Sequence, residues 1–367
     1  MSIKIVDAPM GFGKTSAMIN YMRRAADTER FVFVTPYLEE VERIKMACPE
    51  NHFKVPSDHT DGDPAAKPVS KLVDFKKFVQ NRENVVTTHA LFKHFDDETV
   101  NLIQENHYTL VMDEVMDIVS QYPITEHDCK LLGEKFVDIE PDGSWKWRES
   151  ERNYTGKFDE EKELCRRHAL WRYADHIAMQ MFPKQIFQVF DDIYILTYLF
   201  KAQKQRCYFD FMRLNYQYLW VTGDKPYNYQ LSDRPVDYKM SWVKDAIHIC
   251  DKAKFNQIGN KETSFSAAWF DKNAKTAGKQ LGNHTRQYFE TYLNVRTNAA
   301  MWTCYKSKAT GKQRISVRNF TTSFVPCNIR ATNDYRDRTA LAYLVNRYLS
   351  PVEKQFFLAN EIRWYEI

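Results

Sequence analysis

Short apolar runs, each stopped by a polar or small residue, recur along the first half of the chain. Ile3-Lys4-Ile5-Val6 runs into Asp7, Phe31-Val32-Phe33-Val34 into Thr35-Pro36, and Val85-Val86 into Thr87-Thr88-His89. Leu110-Val111-Met112 runs into Asp113-Glu114, and Ile193-Tyr194-Ile195-Leu196 into Thr197. Such runs predict strands of a parallel sheet buried on both faces, with their polar ends gathered at one edge. Helical periodicity separates them, over residues 14–26 and again from Tyr37. The alternation predicts an α/β fold.

The first strand delivers the most specific chemistry. Ala8-Pro9-Met10-Gly11-Phe12-Gly13-Lys14-Thr15 departs from the G-x-x-x-x-G-K-[ST] phosphate loop only by Ala8 at the first glycine. Gly11 and Gly13 let backbone N–H groups curl around phosphate oxygens, Lys14 reaches the outer phosphates, and the Thr15 hydroxyl can ligate Mg²⁺. The expected ATP site comprises Pro9, Met10, Gly11, Phe12, Gly13, Lys14, Thr15 and Ser16, at the N-terminus of the helix over 14–26.

Asp113-Glu114 follows the fourth apolar run, where a buried parallel strand brings acids to the carboxyl edge of a sheet. Asp113 is expected to share Mg²⁺ with Thr15, and Glu114 to orient and activate water. Two adjacent carboxylates with separate jobs suit ATP hydrolysis better than a lone acid. The competing reading of the pair is a helix start with acids in its first turn.

In this order the segments resemble the motifs of superfamily 2 helicases across residues 1–203. Phe33-Val34-Thr35-Pro36 is similar to motif Ia, Val86-Thr87-Thr88-His89 to Ib, Asp113-Glu114 to the core of motif II, and Ile195-Leu196-Thr197-Tyr198 to motif III. Phe324 to Asn333 and Leu341 to Arg347 resemble blocks of phage-encoded helicases of the DEAD-like superfamily. The resemblance implies two RecA-like parallel-sheet P-loop domains, with ATP between them and Thr35 and Thr88 on a nucleic-acid track. It also implies an arginine finger, yet no Gln-x-x-Gly-Arg-x-x-Arg block occurs. The expected finger is therefore Arg330, Arg336 or Arg338, unless the chain is shortened before motif VI.

Charge adds a second track. Residues 296–347 hold ten Lys or Arg and only Asp334 and Asp337 as acids, a net of +8 within a chain of net +4. Such residues release counterions from a phosphate backbone, which nominates Lys306, Lys308 and Arg318. A solvated hairpin tip around Gly311 is the alternative for Lys306–Lys312. Cations among aromatics over 200–220 can stack bases, but Tyr208-Phe209-Asp210-Phe211 reads better as a strand or hairpin packing a core.

The 367 residues suit about two domains. The expected first domain is 1–214, with an aromatic insertion over 119–190; the second is 215–367, with Ala246-Ile247-His248-Ile249-Cys250 as a core strand. Asp142-Gly143 predicts a hairpin, and Asp159 to Met181 reads helical. No apolar stretch approaches the roughly 20 residues of a membrane span, and the chain opens directly on a strand. Seven scattered cysteines without C-x-x-C fit reduced thiols in a cytoplasm, that of a host cell if phage-encoded. The expected function is an ATP-dependent helicase or translocase, on DNA before RNA. An ATP-gated DNA-binding regulatory module is the alternative. A P-loop small-molecule kinase is third, because the acid pair suits water activation.

Overall fold

The computed structural model describes residues 1–58, 70–174, 176–310, 315–329, 334–348 and 350–364. Arg330, Lys312, Arg314 and Ala331–Asn333 lie outside the described residues. The chain divides into two compact units, residues 1–238 with 350–367, and residues 239–349.

In the first unit β1 (Ser2–Asp7), α1 (Lys14–Arg24), β2 (Arg30–Thr35) and α2 (Leu38–Ala47) follow one another. Then come α3 (Lys71–Gln80), β3 (Val85–Thr88), α4 (His89–Phe92), α5 (Asp97–Asn106) and β4 (Tyr108–Asp113). An inserted body follows. It holds β5 (Val119–Gln121), α6 (Glu126–Lys135), β6 (Val137–Ile139), β7 (Trp145–Trp147), α7 (Asp159–Arg166), β8 (Leu170–Tyr173), β9 (Ile177–Met181) and α8 (Gln185–Gln188). The chain returns through β10 (Asp192–Thr197), α9 (Lys204–Phe211), β11 (Tyr216–Thr222) and β12 (Gln230–Ser232).

The main sheet has the order β12-β11-β1-β10-β4-β2-β3, parallel except for the edge strand β12. Its strands alternate between two cores. Ile5, Val34, Met112 and Ile195 pack on one face, and Val6, Phe33, Val111 and Leu196 on the other. Burial on both faces explains why the strands read as unbroken apolar runs. Phe31 and Phe33 are fully buried, and each such ring contributes about 1.5–3 kcal/mol.

The inserted body has its own core around Leu132, Trp145 and Leu170. β5, β9 and β8 form an antiparallel sheet, and β6 pairs with β7 across the predicted Asp142-Gly143 turn. The expected helix over 159–181 ends at Arg166; Leu170–Tyr173 and Ile177–Met181 instead form the antiparallel pair β8–β9, because Trp171 and Met179 pair across it into the core of the main sheet.

The second unit contains α10 (Ser241–Ala246), α11 (Ala253–Asn256), α12 (Ala267–Asn273), α13 (Lys279–Gln287), β13 (Ala300–Thr303), α14 (Lys306–Thr310) and β14 (Ala340–Tyr343). Its described sheet is the parallel pair β13–β14, so this unit is α/β as well. The final helix, α15 (Pro351–Ala359), returns to the first unit.

Several expectations shift. The division falls at 238/239 rather than 214/215, because β11 pairs with β1 and extends the first sheet. Ala246–Cys250 is not a core strand; Ile247 and Ile249 are exposed and the segment leaves α10 without pairing. Tyr208 and Phe209 are core residues as expected, but on helix α9. Residues 306–310 are helical rather than a hairpin tip, and Phe324, at the start of the first helicase-like block, makes an isolated bridge to Trp302. Among the described residues no helix is long and apolar enough to cross a membrane.

Candidate nucleotide site

β10 lies between β1 and β4, in parallel register with both, so Asp7 stands beside Thr197 and Leu196 beside Asp113. The phosphate loop and the acid pair thus leave the same edge, separated by one strand, about 10 Å across. Ala8 N donates to Thr197 O at 3.1 Å, and Glu114 N to Leu196 O at 2.9 Å. The middle strand pins the start of both loops.

The loop is shaped for an anion. Gly11 and Gly13 have φ of 81° and 79°, which only glycine adopts freely. Gly13 caps α1 with no side chain, and α1 has no acid in its first turn. The first-turn amides therefore have no helical acceptor and point at the loop. The ring of Tyr229 occupies the place of a Gly13 side chain, 2.5 Å from an ideal Cβ, so packing demands glycine too. Phe12 meets Tyr238 edge-on at 5.1 Å. Asn20 on α1 holds the Tyr229 turn through the carbonyls of Pro226 and Tyr229. Pro9 is buried, Met10 exposed, and Thr15 and Ser16 half-buried on α1.

Lys14 is buried and donates from Nζ to Ala8 O at 2.7 Å and Pro9 O at 3.2 Å. Burial holds its pKa below the usual lysine value, against the pull of Glu114, Asp113 and Asp7. Asp113 is buried, and its pKa is pushed up to about 7 by burial first, then by Glu114 and Glu40; Arg43 and Lys14 act the other way. These residues fit Mg²⁺ with a triphosphate: a buried acid, a hydroxyl one residue past Lys14, and an amide-lined loop. Glu114 has φ 63°, a left-handed conformation unusual for its type, so its side chain leaves the strand direction set by Asp113.

Residues without a sequence signature hold this geometry. Asp7 accepts from Leu199 N at 2.8 Å and Phe200 N at 3.0 Å; burial raises its pKa, against those two amides and Lys14. Gln203 donates to Thr197 Oγ1 at 2.9 Å and Tyr198 O at 2.6 Å. Gln205 is buried on α9, accepts from Met116 N at 3.0 Å and fixes the turn after Glu114. Lys204 joins Asp117, Val119 O and Glu353 at 2.6–2.9 Å, tying that turn to α9 and α15.

The structure therefore brings together Lys14, Thr15, Asp113 and Glu114. Other expected residues stand apart. Thr35 is fully buried at the end of β2 and its hydroxyl has no partner among the described residues; it presents nothing to an external strand. Thr88 is half-buried and its Oγ1 accepts from Leu91 N as the cap of α4. Lys306, Lys308, Arg318, Arg336 and Arg338 belong to the second unit. Lys308 pairs with Asp271, while Arg318 and Arg336 are exposed. Arg338 donates to Thr297 O at 2.8 Å and Ala300 O at 3.3 Å, so its guanidinium braces backbone. Arg330 lies outside the described residues.

Two family models match the chain. That described as the YonV middle domain covers residues 119–180, the inserted body, and the YonV C-terminal Rossmann-like domain covers 241–366, the second unit together with α15. The replication origin-binding protein of human herpesvirus 7 (strain JI) is 26% identical over 136 residues, which span 35% of this chain and 15% of that one. The SPbeta prophage-derived uncharacterized protein YonV of Bacillus subtilis (strain 168) is 33% identical over 367 residues, 98% of this chain and 88% of that protein. The chain belongs to the YonV family.

Proposed function

We propose that this protein is a nucleic-acid-dependent ATPase that works as a helicase or translocase, with DNA as its track. The observation that carries this reading is the placement of Lys14 and Asp113-Glu114 on either side of β10, at one edge of the sheet. The phosphate loop amides and Lys14 hold the β- and γ-phosphates. Thr15 and Asp113 hold Mg²⁺, which when bound neutralises and orients those phosphates. Glu114 orients and deprotonates the attacking water. Asp7, Gln203 and Gln205 fix the loops around this chemistry. A prophage-derived relative and a relative named for replication-origin binding support a role in phage DNA replication.

An ATP-gated DNA-binding module without processive unwinding is the second reading. The bonding of Arg338 to backbone carbonyls favours it, because that arginine is already engaged.

ATP hydrolysis measured with single-stranded DNA, duplex DNA and RNA separates the two. A motor is strongly stimulated by its track and a module weakly. Lys14→Ala removes the charge held against the triphosphate, so hydrolysis falls by orders of magnitude while the fold persists. Hydrolysis at the parent rate in this variant would mean that the loop is not a nucleotide site.

A further inference from the structure

Residues 239–349 carry nineteen Lys or Arg against seven Asp or Glu, a net of +12, leaving −8 on the rest of the chain. The second unit is thus the cationic half of the protein. Its parallel pair β13–β14 buries Ala300, Trp302 and Ala340 in the local core. The opposite face carries Met301, Leu341 and Tyr343, and the last two are 47% and 58% exposed. A parallel pair is normally covered on both faces. Here the second face is the floor of a cavity of about 670 Å³.

One face of α13, with Leu281, His284 and Thr285, forms a wall together with Tyr288 just beyond its end. Residues 246–250 and Phe255 form another. The Phe255 ring lies 5.5 Å from that of Tyr288. Buried Nδ1 of His284 has no partner among the described residues. Phe255 also borders a second hollow lined by Lys252, Lys254, Arg286 and Tyr292. Arg286 is partly neutralised by Glu290 at 2.8 Å, but no carboxylate lines either hollow among the described residues.

We propose that this cavity takes an unstacked base of single-stranded nucleic acid, with the adjoining sugar-phosphate backbone crossing Lys252, Lys254 and Arg286. Tyr343, Phe255 and Tyr288 offer ring faces for stacking, and His284 Nδ1 offers a polar contact to a base edge. Lys252, Lys254 and Arg286 line the adjoining hollow, where phosphates rather than bases would meet them; Arg338, which also lines the cavity, donates to the carbonyls of Thr297 and Ala300. A paired base is not available to such a pocket, so the site selects single strands. The inference rests on reading the protein as a nucleic-acid motor, and adds which unit grips the strand and how.

The test uses the full chain without ATP. Fluorescence anisotropy compares a labelled single-stranded oligodeoxynucleotide with an abasic strand of equal length. The base-bearing strand should bind about tenfold tighter or more. Tyr343→Ala, at an exposed position, should erase that preference, and Tyr343→Phe should keep it. Lys252→Glu should weaken both strands alike and flatten the salt dependence. Equal affinity of the parent for both strands overturns the proposal, as does a preference that survives Tyr343→Ala. Competition by a free nucleoside monophosphate at similar affinity would assign the cavity to free nucleotide and overturn the strand reading. Base preference without strand-stimulated ATP hydrolysis would instead sink the motor and leave the pocket standing.

Discussion

Asp113 is a carboxyl group set against its own ionisation. In the unfolded chain it titrates near 4, and in the fold at about 7, first because it is buried. Between those values the folded state binds a proton that the unfolded state has released. Stability therefore falls as pH rises from about 4 to about 7, and the loss is complete above that. Asp113→Asn stays neutral, so in chelator its melting temperature should lack this decline. An unchanged pH slope in the variant would show that the burial is relieved in solution. Glu114 carries a different tension, a non-glycine residue at φ 63°, which costs about 1–3 kcal/mol. Glu114→Gln keeps shape and backbone but removes the proposed base. It should bind ATP normally, hydrolyse it slowly and accumulate a nucleic-acid-bound state. Glu114→Gly should be equally inactive yet melt higher than Glu114→Gln, because glycine adopts this conformation without strain. If Glu114→Gln loses ATP binding, the carboxylate is structural.

Elements decide how firmly those residues are held, and here α9 matters most. Gln205 receives Met116 N, a contact between residues 89 apart in sequence. Gln205→Ala leaves that buried amide without an acceptor, at a cost of about 1–3 kcal/mol. It should lower the hydrolysis rate several-fold while nucleotide affinity stays near the parent value, because the turn it holds follows Glu114 and not the phosphate loop. A matched loss of affinity and rate would make Gln205 a general stability residue. Nothing in the sequence marks Gln205, since a lone glutamine on a helix has no pattern. β1, β2 and β4 are legible because burial on both faces writes unbroken apolar runs, and the turn after β1 because Gly11 and Gly13 take the left-handed backbone that glycine adopts freely. Residues 246–250 misled for the same reason: Ile247-His248-Ile249 reads as a strand, yet both isoleucines are exposed. Residues 170–181 looked helical, but the cross-strand pairing of Trp171 with Met179 overrides local preference. The intervening position of β10 in the sheet order was not legible at all, because neighbours in a sheet are set by packing and not by order in the chain.

At the scale of the molecule, the acids and the phosphate loop lie in a unit that is acidic overall, while the candidate finger arginines lie in the basic one. Hydrolysis that depends on the second unit needs a positive charge brought to the γ-phosphate, and Arg330, Arg336 and Arg338 follow Phe324–Cys327 in the chain. The two arginines that the structure describes are not equivalent. Arg338 braces Thr297 O and Ala300 O at the start of β13, so Arg338→Ala should lower the melting temperature as well as activity, by leaving two carbonyls short of a donor. Arg336 is exposed, and Arg336→Ala should leave melting unchanged. A finger removed in this way costs about a thousandfold or more in turnover with ATP affinity nearly intact. A track residue removed instead weakens strand binding and lowers the salt slope by about one, with basal turnover unchanged. Hydrolysis, nucleotide affinity and strand binding measured on Arg330→Ala, Arg336→Ala and Arg338→Ala singly assign each role. The expected outcome is that Arg330 or Arg336 gives the turnover signature and Arg338 the stability signature. If all three leave turnover at the parent rate, this chain supplies no finger from these positions. Autonomous unwinding then gives way to the ATP-gated module, in which nucleotide binding alone changes the grip on DNA.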